Sequence, residues 1–90
     1  MAKFNLTFKR SADKELQKLP SPVLKKIVPK IKKLVEDPYP VYSKKLSGSS
    51  HHAYRIREGD YRVLYVVEKT RIFIFRIGHR REVYRKELLF

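Results

Sequence analysis

The sequence contains no cysteine. That absence excludes a disulfide framework, a thiolate metal site and a cysteine nucleophile, and it argues against a small stapled secreted domain. Long hydrophobic runs are missing as well. The longest, Val63 to Val67, falls far short of the ~20 residues that cross a bilayer. The opening MAKFNLTFKR alternates apolar and polar side chains and carries no apolar core like that of a signal peptide. A soluble, cytoplasmic chain with no membrane partner is therefore expected. Carboxylates are scarce, with 9 Asp+Glu against 22 Lys+Arg, and none of Glu36-Asp37, Glu58, Asp60, Glu82 or Glu87 forms a pair spaced for acid–base work. His51-His52 has neither cysteine nor spaced carboxylates around it and reads as a loop pair. No metal and no cofactor is expected. The Ser47-Gly48-Ser49-Ser50 cluster lacks the lysine and flanking glycine of a phosphate-binding loop and reads as a flexible connection. At 90 residues the chain amounts to one domain, residues 1–90, too small for a Rossmann, kinase or barrel fold.

What the chain does have is positive charge on a body able to fold. With 42% hydrophobic and 12% aromatic residues there is enough apolar material for a core, so the net charge of +13 decorates a globule rather than a disordered tail. Such an excess calls for a polyanionic partner. The two halves carry it differently. Met1 to Ser50 holds 11 Lys and one Arg, whereas His51 to Phe90 holds eight Arg and two Lys. Lysine is a hydrated point charge suited to a solvated helix face; arginine offers a planar fork that grips phosphate with two parallel hydrogen bonds. The phosphate site is expected in the second half.

Periodicity gives an α+β chain. Phe4, Leu6 and Phe8 alternate with polar residues as in a half-buried strand. Ser11 can cap a short helix bearing Ala12, Leu16 and Leu19, stopped by Pro20. Ser21 as N-cap and Pro22 at the first helical position start a second helix. Its apolar stripe of Val23, Leu24, Ile27, Val28, Ile31, Leu34 and Val35 is set among lysines, and Pro29 should kink it. Asp37 to Ser50 is one long connection. A three-strand antiparallel meander follows at about Tyr54–Glu58, Tyr61–Glu68 and Arg71–Ile77, the last apolar on both parities as in a strand buried on both faces. Gly78 then frees the chain to turn into a short C-terminal helix or tail beginning at His79.

Gly59-Asp60 suits a two-residue hairpin with glycine first, and that loop length sets the register. It opposes Arg57 to Arg62, Ile56 to Val63, Arg55 to Leu64 and Tyr54 to Tyr65, which gathers Arg55, Arg57 and Arg62 on one sheet face. Like charges placed so repel. They are either splayed into water or form a cradle for an oxyanion. Tyr54, Tyr61 and Tyr65, at strand period on the other face, read as core or core edge, as do Phe73 and Phe75. Arg80 and Tyr84, four apart, share one face of a helix. If the tail folds back over the sheet, His79, Arg80 and Tyr84 approach the three arginines and complete a metal-free phosphodiester site. RNA supplies its own 2′-hydroxyl nucleophile, and the protein needs only alignment, charge neutralisation and two proton transfers.

The run Tyr54-Arg-Ile-Arg-Glu-Gly-Asp-Tyr-Arg-Val-Leu-Tyr65, followed by Ile77-Gly-His-Arg-Arg-Glu-Val-Tyr-Arg85, resembles the RelE/ParE superfamily of bacterial and archaeal toxins, on the RelE side. The resemblance covers nearly the whole chain. It implies a RelE-like fold and a messenger-RNA endonuclease acting in the ribosomal A site, contacting messenger and ribosomal RNA and neutralised by a small acidic RelB-like antitoxin. It further implies that Arg62 and Arg80 bind phosphate and the transition state, that Arg55, Arg57, Arg81 and Arg85 bind RNA, that Tyr84 stacks on or orients the substrate, and that His79 stands where some relatives place an acid–base histidine. One departure has chemical weight: relatives often carry lysine where this chain has Arg55 and Arg57, and arginine cannot give up its proton. Proton transfer then falls to His79, an imidazole being suited to exchange near neutral pH, or to Tyr84, or the enzyme relies on alignment within the ribosome. The ParE branch, which shares the fold but poisons DNA gyrase and generally lacks the C-terminal histidine, arginine and tyrosine, is one alternative. A catalytically inactive antitoxin-binding relative is another.

Overall fold

The meander is the centre of a five-stranded sheet in the order β1-β5-β4-β3-β2. The computed structural model describes residues 3–46 and 53–83. Its elements are β1 (Asn5–Phe8), α1 (Arg10–Gln17), α2 (Ser21–Lys33), β2 (Lys44–Lys45), β3 (Ala53–Glu58), β4 (Tyr61–Glu68), β5 (Arg71–His79) and α3 (Arg80–Val83). β1 adds in parallel to the outer side of β5, with Leu6 opposite Ile72 and Phe8 opposite Ile74. Among the described residues, no helix is long and apolar enough to cross a membrane.

The β3–β4 hairpin has the register expected from its loop, Arg57 opposite Arg62 and Tyr54 opposite Tyr65. Gly59 takes φ of +61°, while Asp60 after it stays at negative φ, the pattern of a turn with glycine first. One face of β4 therefore presents Val63, Tyr65 and Val67 to α1 and α2. There they join Ala12, Ile27, Ile31, Leu34, Ile56, Ile72, Ile74 and Ile77 in the main core, edged by Phe4, Leu6, Phe8, Tyr54 and Tyr61. Burying a branched aliphatic such as Ile74 contributes about 1.5–3 kcal/mol, so this face supplies most of the driving force for folding. Tyr65 is fully buried and donates its hydroxyl to the Pro38 carbonyl at 2.7 Å, fixing the segment after α2 to the sheet.

The helix starts differ from expectation. α1 begins at Arg10, ahead of Ser11, because Lys9 still donates its N–H to the Ile74 carbonyl and only then turns into the helix. Ser11 lies inside the first turn and caps nothing. α2 starts at Ser21 with Pro20 as the flanking residue, placing Pro22 second and making Ser21 helical rather than a cap. It runs as one helix through Pro29, which sits on the exposed side. Lys30 is not simply solvated: its Nζ lies 3.0 Å from Glu58 Oε1 and donates to the Arg57 carbonyl at 2.9 Å, tying α2 to β3.

Three further departures shape the second face of the sheet. The long connection contains β2, which opposes Lys44 to Arg55 and Lys45 to Tyr54, so the sheet gains an edge strand. β5 carries a bulge: Leu64 faces Arg76 and Tyr65 faces Ile74, leaving Phe75 as the extra residue and returning Ile77 to the helix side. Finally, β5 runs through Gly78 to His79 instead of turning at the glycine. Gly78 allows a close approach: a Cβ there would stand 3.2 Å from Val83 Cγ1, where α3 folds across the strand.

Candidate functional site

Reading the register across the second face gives three lateral rows. Leu46, Ala53, Val66 and Phe73 lie in the first, and with Leu64, Phe75 and Val83 they form a second apolar cluster. Lys44, Arg55, Leu64 and Arg76 make the next row. Arg57, Arg62 and Gly78 make the third. Cations thus occupy two adjacent rows beside an apolar strip. Among the described residues the carboxylate of this face is Glu68, at the far end and engaged by Arg71 at 3.5 Å.

The arginines are not equivalent. Arg57 is exposed and Arg55 half-buried. Arg62 is only 8% exposed and folds toward its own hairpin, where Nη1 donates to the Gly59 carbonyl at 2.9 Å and to the Tyr61 carbonyl at 3.2 Å. Two carbonyl acceptors hold the fork without neutralising it, so the charge remains available to an anion while its position is fixed. Arg76 reaches this face through the bulge. Its Nη2 donates to the Glu82 carbonyl at 3.3 Å, and its buried Nε has no partner among the described residues.

The described part of the tail, α3, folds back over this face, with Val83 buried against Leu64, Val66 and Phe75. It does not bring His79 there. That residue ends β5 opposite Tyr61, a position on the helix side of the sheet, and meets the Tyr61 ring edge-on at 5.5 Å. Its Nδ1 accepts the Arg81 N–H at 3.2 Å, so in the neutral ring Nε2 carries the proton and points to Asp60 Oδ2, 4.0 Å away. Asp60 also receives Arg80: its Oδ1 lies 3.4 Å from Nε, and its carbonyl accepts the Arg80 N–H at 2.7 Å. Arg80 and His79 are therefore gathered at the hairpin tip, on the rim of the face bearing Arg62. Arg81 is exposed on α3. Tyr84 and Arg85 follow Val83 in sequence and lie outside the described residues, as do His51, His52 and the Ser47–Ser50 cluster.

Sequence reasoning missed Lys44, Arg76 and the anchoring role of Asp60. Arg76 had a readable signal: the apolar residues that face the helices are Ile72, Ile74 and then Ile77, and the step of three breaks a period of two where a bulge must fall. Glu15 was also overlooked. β1 is too short to cover the end of β5, and Glu15 Oε1 accepts the Ile77 N–H at 2.8 Å in place of a strand.

Among the described residues no group of three or more metal-ligating side chains occurs. The site combines the guanidinium groups of Arg55, Arg57, Arg62 and Arg76, of which Arg62 and Arg76 are held by carbonyls, with His79 beside a carboxylate and a backbone N–H, and with α3 laid across the face. It can bind an extended polyanion and neutralise charge on a reacting phosphate.

Comparisons with known proteins bear on the fold and the family. The model for the ParE toxin of type II toxin-antitoxin systems matches residues 6–84. Among solved structures, the isolated RelE toxin of E. coli is 32% identical with a TM-score of 0.74, the match covering 97% of this chain and 96% of that one. The archaeal RelE-RelB complex from Pyrococcus horikoshii OT3 gives 28% identity and a TM-score of 0.76 over 89% of this chain and 98% of that one. The YoeB dimer from Staphylococcus aureus, at 23% identity and a TM-score of 0.69 over 87% of this chain and 98% of that one, shares the fold. The search of curated proteins returned no match. With a family model spanning almost the whole chain and a RelE toxin nearly a third identical along its length, the chain belongs to the RelE/ParE superfamily of type II toxin-antitoxin toxins.

Proposed function

We propose that this toxin is a ribosome-dependent endoribonuclease that cleaves messenger RNA in the A site, stops translation, works in the cytoplasm and is neutralised by an acidic RelB-like antitoxin. The observation that carries the reading is the pair of cationic rows on the second sheet face, with Arg62 pinned by carbonyls rather than by a carboxylate. The RelE-RelB complexes among the similar structures support the antitoxin.

In the reaction the 2′-oxygen attacks phosphorus while the bond to the 5′-oxygen breaks, giving a 2′,3′-cyclic phosphate and a 5′-hydroxyl. Arg62 and Arg80 stabilise charge on the phosphorane oxygens; Arg55, Arg57, Arg81 and Arg85 hold the flanking phosphates. Two proton transfers remain. To act as the acid, His79 first takes a proton at Nδ1, giving up the bond from the Arg81 N–H, and the imidazolium then passes its Nε2 proton to the leaving 5′-oxygen. Tyr84 orients the nucleotide and, as its phenolate, takes the 2′-hydroxyl proton.

The test is a translating lysate with one defined message, in which new 5′ ends are mapped, with Arg80→Ala and ribosome-free controls. Cuts within codons that require both ribosomes and Arg80 are expected. The match to the ParE model favours a second reading, inhibition of DNA gyrase. An intact message together with blocked supercoiling would establish it, and an intact message with gyrase unaffected would mark an inactive antitoxin-binding relative.

A further inference from the structure

β1 covers β5 only from Arg71 to Ile74, so the remaining edge of β5 borders an open cleft of about 430 Å³ between the α1–α2 turn and α3. Its chemistry differs from that of the cationic face. In a chain with 9 Asp+Glu, two carboxylates, Glu15 and Glu82, line this cleft, together with Lys18, the Tyr61–His79 ring pair and Arg76. Glu15 has one oxygen engaged by Ile77. Among the described residues Glu82 and Lys18 have no ion-pair partner. Arg76 stands where the cleft meets the cationic face.

We propose that this cleft is a base-reading subsite, taking one unstacked nucleobase of the RNA whose backbone crosses the cationic face; the inference rests on the ribonuclease reading above. The volume lies within the range that encloses a small planar ligand. Carboxylates repel phosphate but accept hydrogen bonds from the amino and imino groups of a base, while an ammonium donates to its carbonyl oxygens, and single-stranded RNA is read through these edges and by stacking on aromatic rings. Glu82 and Lys18 are the specificity-determining side chains. Arg76, with an unpartnered Nε and its outer edge in solvent, holds the phosphate at the point where the strand turns from the face into the cleft.

The experiment compares cut-site preference on purified ribosomes carrying a randomised A-site codon, for wild type, Glu82→Gln and Lys18→Ala, with antitoxin affinity measured on the same variants. Both substitutions are on exposed side chains and leave the core untouched. The expected result is that discrimination between bases at one codon position falls about five-fold or more in each variant, while cutting persists. Unchanged preference overturns the proposal, and unchanged preference with weakened antitoxin binding would assign the cleft to the antitoxin. If wild type cuts but the variants keep its preference, the cleft inference alone fails. If wild type cuts nothing, the ribonuclease reading fails and takes the cleft with it.

Discussion

The two faces of one sheet do different work, and β4 is where they divide. Residues of one parity, Val63, Tyr65 and Val67, are sealed beneath α1 and α2 among aliphatic side chains. Residues of the other parity, Arg62, Leu64 and Val66, are equally buried but face a mixed surface, apolar in one row and cationic in the next two. Stability is concentrated on the helix side, so the second face can carry like charges in adjacent rows at a cost the core offsets. Like charges set opposite one another destabilise a sheet, and here the core on the other face offsets that cost.

That comparison can be broken at several points. The largest effect is expected at the cationic rim: Arg80→Ala should reduce cutting by about 100-fold or more, as loss of one preorganised charge to the transition state does, with thermal unfolding unchanged. Arg62→Ala should cut activity as severely but also lower stability by about 1–3 kcal/mol, since the Gly59 and Tyr61 carbonyls lose their donor. Urea unfolding beside single-turnover cutting separates the two. On the helix side the signs reverse. Ile74→Ala, at a fully buried site, should cost about 2–5 kcal/mol in urea unfolding, and the fraction that remains folded should cut at the wild-type rate.

Gly78→Ala sharpens the boundary between the faces. The new Cβ would meet Val83 Cγ1 at 3.2 Å, so the Val83 side chain, and α3 with it where the side chain cannot turn, must give by a few tenths of an ångström. About ten-fold slower cutting is expected, because misplacement of about 1 Å costs about 100-fold, with little change in melting temperature. The smallest effect is alkaline. Burial first, and then the neighbouring tyrosines, raise the Tyr65 hydroxyl above its ordinary 10.0, so the folded state keeps a proton that the unfolded chain releases. The stability this contributes is complete below pH 10 and falls as pH rises beyond it, by about 1 kcal/mol at pH 11. Chemical denaturation of wild type and Tyr65→Phe at pH 8 and pH 11 checks it, since the variant should lack that loss.

Much of this was legible in the sequence because hairpin chemistry is local. Gly59-Asp60 specified the turn, the turn specified the register, and the register placed Arg55, Arg57 and Arg62 together. Features set by distant packing were not legible. The bulge at Phe75 moves Arg76 to the cationic face, and β2 forms only because β3 offers an edge to the connection before it. Ser11 looked like a cap because the hydrogen bond from Lys9 to Ile74, which extends β1 to the helix start, joins residues far apart in the chain. His79 has the right residue type at the right distance from Arg80, yet strand alternation after the bulge turns it to the helix side.

The most direct test of the working face uses purified ribosomes with a defined A-site codon and compares wild type with an Arg55→Ala/Arg57→Ala/Arg80→Ala variant whose urea unfolding matches it. Wild type should cut the message within the codon and leave a 5′-hydroxyl end, and the variant should leave it whole. Equal cutting by the two proteins, or a message left intact by wild type, would contradict the assignment of the cationic face to RNA cleavage.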